Sequence, residues 1–174
     1  MTDVLIDEAM ADQAEVLALT GQRLFVQTYG NISGAEDLAA HLEDYFSQPV
    51  VTAELENPDI RYFLARDGDD IAGYLKIRRG DVPDAVPATG ATEVQQLYVD
   101  ADHQRKGIGR LLMDRAVSAA REDAQDGVWL SVWEEAGWAI HFYQAYGFHT
   151  VGTTDFRLGK SVYKDYLMWF PIKK

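Results

Sequence analysis

Apolar positions set two different rhythms along the chain. Residues 7–29 (DEAMADQAEVLALTGQRLFVQTY) carry Ala14, Leu17, Leu24 and Phe25 at helical intervals, which predicts a helix with Asp7 as its N-cap. Gly30 to Gly34 reads as a loop. Residues 35–47 (AEDLAAHLEDYFS) form a second amphipathic helix with Leu38, Leu42, Tyr45 and Phe46 on one side. Pro49 and Asn57-Pro58 punctuate a loop and a third short helix. The period then changes to two. RYFLAR (61–66) and IAGYLKIR (71–78) flank DGDD and predict a hairpin. After a turn-rich loop over 80–92, EVQQLYV (93–99) reads as a strand. A helix over 109–124 presents Leu112, Ala116, Ala119 and Ala120 to the core. VWLSVW (128–133) is a strand, a helix spans about residues 138–146, and strands follow near 148–152 and over 164–170. The order is helices, hairpin, then strand–helix–strand–helix–strand–strand. It predicts a mixed α/β, or α+β, single domain over 1–174.

Composition narrows the class. At 174 residues the chain is one domain's length, and 47% hydrophobic with 25% charged residues is globular and excludes a disordered chain. There is no cysteine, hence no disulfide, cysteine nucleophile or thiolate metal site. No run of about 18 apolar residues predicts a membrane span. The acidic start MTDVLIDEAM lacks the basic and apolar regions of a secretory signal, so the cytoplasm is the expectation. Charge is uneven. Residues 1–60 hold twelve acids and one base, Arg23, a net of −11, while residues 61–174 are near neutral at −1. Nucleic acid would be repelled by the first lobe, and cationic small molecules attracted. Solubility alone is the more common reason for such a surface.

The segment EVQQLYVDADHQRKGIGRLLMDRA carries the chemistry. A strand ends at Val99, an acidic turn follows, and Gln104-Arg105-Lys106-Gly107-Ile108-Gly109 leads into a helix. Glycines at 107 and 109 allow a tight turn. Backbone N–H groups at a helix N-terminus favour an anion, and Arg105, Lys106 and Arg110 add positive charge. A pyrophosphate fits that description, although a glycine pair before a helix is more often an ordinary turn. A Walker loop needs GxxxxGK[ST], which is absent. The dinucleotide fingerprint GxGxxG fails because Leu112 stands at the third glycine position. What remains is Q/R-x-x-G-x-G/A.

This pattern resembles the GCN5-related N-acetyltransferases (GNAT). LYV lies before QRKGIG, the helix RLLMDRA follows, then WLSVWEE, then AIHFYQAYGF, similar to the family's N-x-x-A-x-x-F-Y-x-x-x-G-F. The likeness covers residues 71–152 well. LFVQTYG, EDLAAHLEDYF and FRLGKSVYKDYLM also look like a bacterial polyamine (spermidine/spermine) acetyltransferase branch. The resemblance implies a GNAT fold, a central, mostly antiparallel, splayed sheet flanked by helices. It implies acetyl-CoA as cosubstrate, with pyrophosphate on Arg105, Lys106, Gly107, Ile108, Gly109 and Arg110. The pantetheine arm would pair with backbone groups of Leu97 and Val99, where a bulge opens the strand edge. Members often pair as dimers, so a homodimer is a further expectation.

The implied reaction is direct attack of an amine on the thioester. An alkyl amine with a pKa near about 10.4 arrives charged, so a base must take a proton and an acid must meet the thiolate, each worth about 10²–10⁴ in rate. Tyr143 matches the family tyrosine beside the CoA sulfur and is the implied acid. A core aromatic is the alternative use of that position, and Tyr146 reads as structural. Strand alternation puts Glu93, Gln95, Leu97 and Val99 on one face. The branch often has a carboxylate at this strand's start, which makes Glu93 the candidate base, acting through water because Gln95 is neutral. His41, His103, His141 and His149 show no metal-ligand spacing and read as surface or cap residues, so no metal is expected.

Ala136 stands where the family has Asn, at a loss on the order of 1 kcal/mol to the CoA arm. Trp138 then covers the arm or plugs the core, the second being the commoner use. The first two helices and the final hairpin would wall the acceptor cleft. Glu36, Asp37, Glu43 and Asp44, with Tyr29, Tyr45 and Phe46 between them, offer a cation-binding surface, so the expected partner is a small cationic amine. The rival readings are acetylation of a protein N-terminus, a lysine or an aminoglycoside, and a non-catalytic acetyl-CoA-binding regulator.

Overall fold

A computed structural model describes residues 3–172. Residues 1–2 and 173–174, counted in the expected domain, lie outside the described residues. The elements are β1 (Val4–Glu8), α1 (Ala14–Tyr29), α2 (Ala35–Phe46), α3 (Gln48–Glu56), β2 (Ile60–Asp67), β3 (Asp70–Arg79), β4 (Thr92–Val99), α4 (Ile108–Glu122), β5 (Gly127–Trp133), α5 (Gly137–Tyr146), β6 (His149–Leu158) and β7 (Ser161–Pro171). The seven strands form one sheet in the order β1-β2-β3-β4-β5-β7-β6. Every pairing is antiparallel except β4–β5. Among the described residues no helix is long and apolar enough to cross a membrane.

The helix expected over 7–29 begins later than its apolar spacing implies. Asp7 is in β1, opposite Leu64 of β2, and does not cap a helix. The short VLIDE segment alternates, with Val4 and Ile6 packed on the core and Leu5 exposed, so pairing with β2 satisfies its backbone. A single turn over Ala11–Gln13 leads into α1, and the Gln13 side chain accepts the Met10 N–H at 2.8 Å. The strand near 148–152 continues to Leu158 and forms a hairpin with β7.

The main core lies between the sheet and α4. Leu112, Met113, Ala116, Ala119 and Ala120 are fully buried there against Leu75, Val128, Leu130 and Met168. Small residues on α4 let the helix sit close to the strands. A second core under α1 joins Leu17, Leu24, Tyr62, Leu64 and Tyr74 on the opposite face of the same strands. The sheet is therefore held from both sides.

Part of the acidic lobe is paired with bases. Glu8 pairs with Arg61, Asp7 with Arg66, Glu54 with Lys76 and Asp59 with Arg79, all bases from β2 and β3. Its one base, Arg23, pairs with Asp100. Four of the twelve acids are thus matched across the boundary that the linear sequence suggests.

Candidate active site

Two local irregularities open the sheet. In β4 the register slips: Lys76 faces Gln96 but Ile77 faces Val94, so Gln95 is the extra residue of a bulge. β4 and β5 then pair only at Thr92–Val128 and Glu93–Trp129. Beyond that, β4 stays with β3 to Val99 while β5 stays with β7 to Trp133. The two central strands therefore part, and cavities occupy the gap.

The bulge corrects the expected alternation. Glu93, Gln95, Leu97 and Val99 do not share a face. Val94, Leu97 and Val99 pack on the α4 side, whereas Glu93 joins Gln95, Gln96 and Tyr98 in a cleft on the other side. An extra residue in a strand inverts the pleat beyond it.

Three cavities follow one another through the gap. The first, of about 400 Å³, is walled by Leu97 and Val99 of β4, the 103–110 loop and helix start, and Trp138, Ala139, Phe142 and Tyr143 of α5. The second is a chamber of about 130 Å³ that shares Leu97 and Tyr143 with the first. The third, of about 560 Å³, shares Gln95, Gln96, Tyr98, Ser131 and Phe156 with the chamber.

The first cleft joins a helix N-terminus to largely apolar walls. Gly107 stands in the left-handed region at φ +80°, as does Arg105 at φ +60°, and together they turn the chain into α4. No side chain caps the N-terminus of α4, so its first N–H groups face the cleft. A Cβ at Gly109 would come within 3.3 Å of the Phe142 ring, a tight contact that glycine avoids. Arg110 lies with its guanidinium 5.5 Å from the Tyr146 ring, and the Tyr146 hydroxyl donates to Asp114 at 2.6 Å. These contacts hold Tyr146 on the α4 side, outside the residues that line the cleft.

Seven of the eight anticipated cofactor residues, Leu97, Val99, Arg105, Gly107, Ile108, Gly109 and Arg110, line this cleft. The eighth, Lys106, does not line it; its ammonium lies 3.7 Å from Asp67. Trp138 is 58% exposed and lines the cleft; it does not plug the core. Ala136 is fully buried at the start of α5.

Tyr143 lies at the junction of the first cleft and the chamber. Burial, with Tyr29 nearby, pushes its hydroxyl above the usual range, so it stays protonated at any physiological pH. Glu93 is in the third cleft and not in the chamber. Burial raises its carboxyl, partly offset by Gln95, whose side-chain N–H donates to it at 3.1 Å.

Sequence reasoning missed Asp165. This β7 residue lies between Trp133 of β5 and Thr154 of β6, is 5% exposed, and lines the chamber. Burial raises its carboxyl to about 6, against a hydrogen bond from Ser131. The signal was one acid inside the apolar run YLMWF and its preceding KD, with nothing in the sequence to say which face it took.

The anticipated cation-binding acids are not at the site. Glu36, Glu43 and Asp44 are exposed on α2, and Asp37 accepts the Lys160 N–H at 3.3 Å. Tyr45, Phe46 and Phe25 do line the third cleft, with His41, which is buried against Phe25 and not on the surface. The charged lining of that cleft is balanced: Glu54, Glu93 and Asp155 against Lys76, Arg78 and Arg157. Among the described residues no group of three acids or histidines is arranged to hold a metal ion.

Comparison with known proteins agrees with this geometry. Residues 24–148 match the Acetyltransferase (GNAT) family. The chain belongs to that family, and it is an acetyl-CoA-dependent acetyltransferase. It is 29% identical over 170 residues, 97% of each chain, to an uncharacterized N-acetyltransferase from the pepI 3′ region of Lactobacillus delbrueckii subsp. lactis. It is 34% identical over 101 residues, 58% of this chain and 50% of the other, to streptothricin acetyltransferase of Streptomyces lavendulae. In fold it is similar to the PaiA N-acetyltransferase of Thermoplasma acidophilum, solved in complex with coenzyme A. The TM-score there is 0.77 at 18% identity, covering 98% and 99% of the two chains.

Proposed function

We propose that the protein moves the acetyl group of acetyl-CoA to a primary amine of a small cationic molecule, such as a polyamine, by direct attack while both substrates are bound. One observation carries this reading: two clefts reach a common chamber from opposite sides, meeting at Tyr143 and Leu97 on one side and at Gln95 and Tyr98 on the other. Such a layout suits a ternary complex, because two ligands can enter without passing each other.

The residues divide the work. The 105–110 backbone, with Arg105 and Arg110, holds the diphosphate, and Leu97 and Val99 flank the pantetheine arm. Tyr143 hydrogen-bonds the departing sulfur. Its high pKa means that it releases its proton only as the surplus proton on the attacking nitrogen becomes available to replace it. Glu93, with Gln95, receives protons through water at the acceptor mouth. The aromatic wall of Phe25, Tyr45 and Phe46 supplies faces for an alkylammonium chain.

A second reading has its own support. Lys76, Arg78 and Arg157 in the acceptor cleft would suit an acceptor that carries anionic as well as cationic groups, such as a peptide N-terminus. One experiment separates the two. Purified protein and acetyl-CoA are offered spermidine, spermine, a free amino acid, an N-terminal peptide, a lysine peptide and an aminoglycoside, with free thiol and product mass followed. The highest kcat/KM is expected for the polyamines. Preference for the peptide would favour the second reading. Thiol release at solvent background with every amine, despite CoA binding, would leave a non-catalytic CoA-binding protein.

A further inference from the structure

The chamber between the two clefts has an unusual electrostatic make-up. Of its lining groups Asp165 alone is a carboxylate, and no Lys, Arg or His lines the chamber among the described residues. The Asp165 side chain is buried, yet its Oδ1 has no hydrogen-bond partner among the described residues. A buried carboxylate oxygen with neither donor nor counter-ion is costly, and such a group calls for an explanation, of which a catalytic role is one. The groups around it are Tyr29 of α1, Gln95 and Tyr98 of β4, Ser131 of β5 and Tyr143 of α5. Ser131 hydrogen-bonds the carboxyl, and Glu134, just beyond β5, adds a repelling charge. Among the described residues no base lines the chamber, and none is among the charges that act on Asp165, so no group of the chamber neutralises it.

We propose that Asp165 is the group that receives the ammonium of the acceptor beside the thioester and takes its proton, with Glu93 acting only at the outer mouth. This rests on the transferase reading above and assigns the acceptor end of the chamber to a primary ammonium. The balance is as follows. The ammonium gives one proton to the Asp165 carboxylate, leaving a neutral amine. The nitrogen lone pair forms the C–N bond to the thioester carbonyl carbon, and the C–S bond breaks with its electron pair on sulfur. The sulfur takes the Tyr143 proton, and the second proton lost from nitrogen restores Tyr143. Asp165 then releases its proton to solvent. The products are the amide, free CoA thiol and one proton. A carboxyl raised to about 6 suits this work, being ionised at neutral pH and a stronger base than an ordinary carboxylate.

The test is the pH dependence of kcat/KM from about pH 5 to about pH 9 for the wild type, Asp165→Asn and Glu93→Gln, with the amine that the wild type uses best. CoA affinity is measured by calorimetry alongside. Asp165→Asn is expected to lower kcat on the order of 10²-fold, to leave CoA affinity within about twofold, and to abolish the acidic limb. Glu93→Gln is expected to keep that limb. A merely structural Asp165 would lower the melting temperature without moving the limb. Retention of the limb in Asp165→Asn, or its loss in Glu93→Gln instead, overturns the assignment while leaving the transferase reading intact. A wild type that binds CoA and acetylates none of the amines overturns both.

Discussion

The two clefts that open onto the central chamber differ in how they are built. The cofactor cleft is walled by apolar side chains and by backbone, and its cations, Arg105 and Arg110, cluster at the loop end. The proposed acceptor cleft is lined by six charged side chains in balance, a buried histidine and five Phe or Tyr residues. The first site reads a common ligand through glycines and helix geometry, which need a fixed local sequence. The second reads its ligand through side chains brought from α1, α2, β3, β4 and β6, so no contiguous motif records it. The lesson is that cofactor use can be read from one loop, while acceptor choice depends on the whole assembled sheet.

Perturbations of the two sides should therefore differ in kind. The largest effect is expected at Gly109→Trp, where the new side chain meets Phe142 and fills the cleft. CoA affinity measured by calorimetry should be lost, with circular dichroism confirming a folded protein. Unchanged affinity would remove the anion site from this loop. Next comes Tyr143→Phe at the junction. It should lower kcat by about 10²-fold with little change in KM for acetyl-CoA, and a steady kcat would end the acid role.

The acceptor side makes a stability prediction of defined sign. The Asp165 carboxyl is raised from 3.8 to about 6, so the folded state keeps its proton to higher pH than the unfolded chain does. On this group alone, stability falls as pH rises from about 4 to about 6 and stays lower above that window. Asp165→Asn should consequently stabilise the protein at pH 8 by an amount on the order of 2 kcal/mol and change little at about pH 4. Urea melts at the two pH values check this, and equal effects at both would contradict it. The smallest effect belongs to the α2 acids. Neutralising Glu36, Asp37, Glu43 and Asp44 together should change KM for the amine by less than about threefold, because none of them lines the cleft. A large rise in KM would restore them as a cation-gathering surface.

What was legible in the sequence follows the same division. The α4 helix, the β2–β3 hairpin and the 104–110 turn declared themselves through spacing and glycine placement. Strand β1 did not, because five residues next to a helical pattern are absorbed by it. The Gln95 bulge has no local signature, since it arises from β3 and β4 being out of step by one residue. It alone decides that Glu93 turns away from Leu97. The outer half of β6 was missed because TTDFR is largely exposed and lacks an apolar alternation. Asp165 became visible only once β5 and β7 were paired and β4 had left them.

The central claim is that coenzyme A lies along the opened edge of β4 with its diphosphate on the start of α4. Hydrogen exchange followed by mass spectrometry, with and without CoA, tests it at peptide resolution. The account predicts slowed exchange in peptides covering residues 97–110 and 138–143, and none over α2. Protection of α2 with an unaffected 104–110 loop would contradict it.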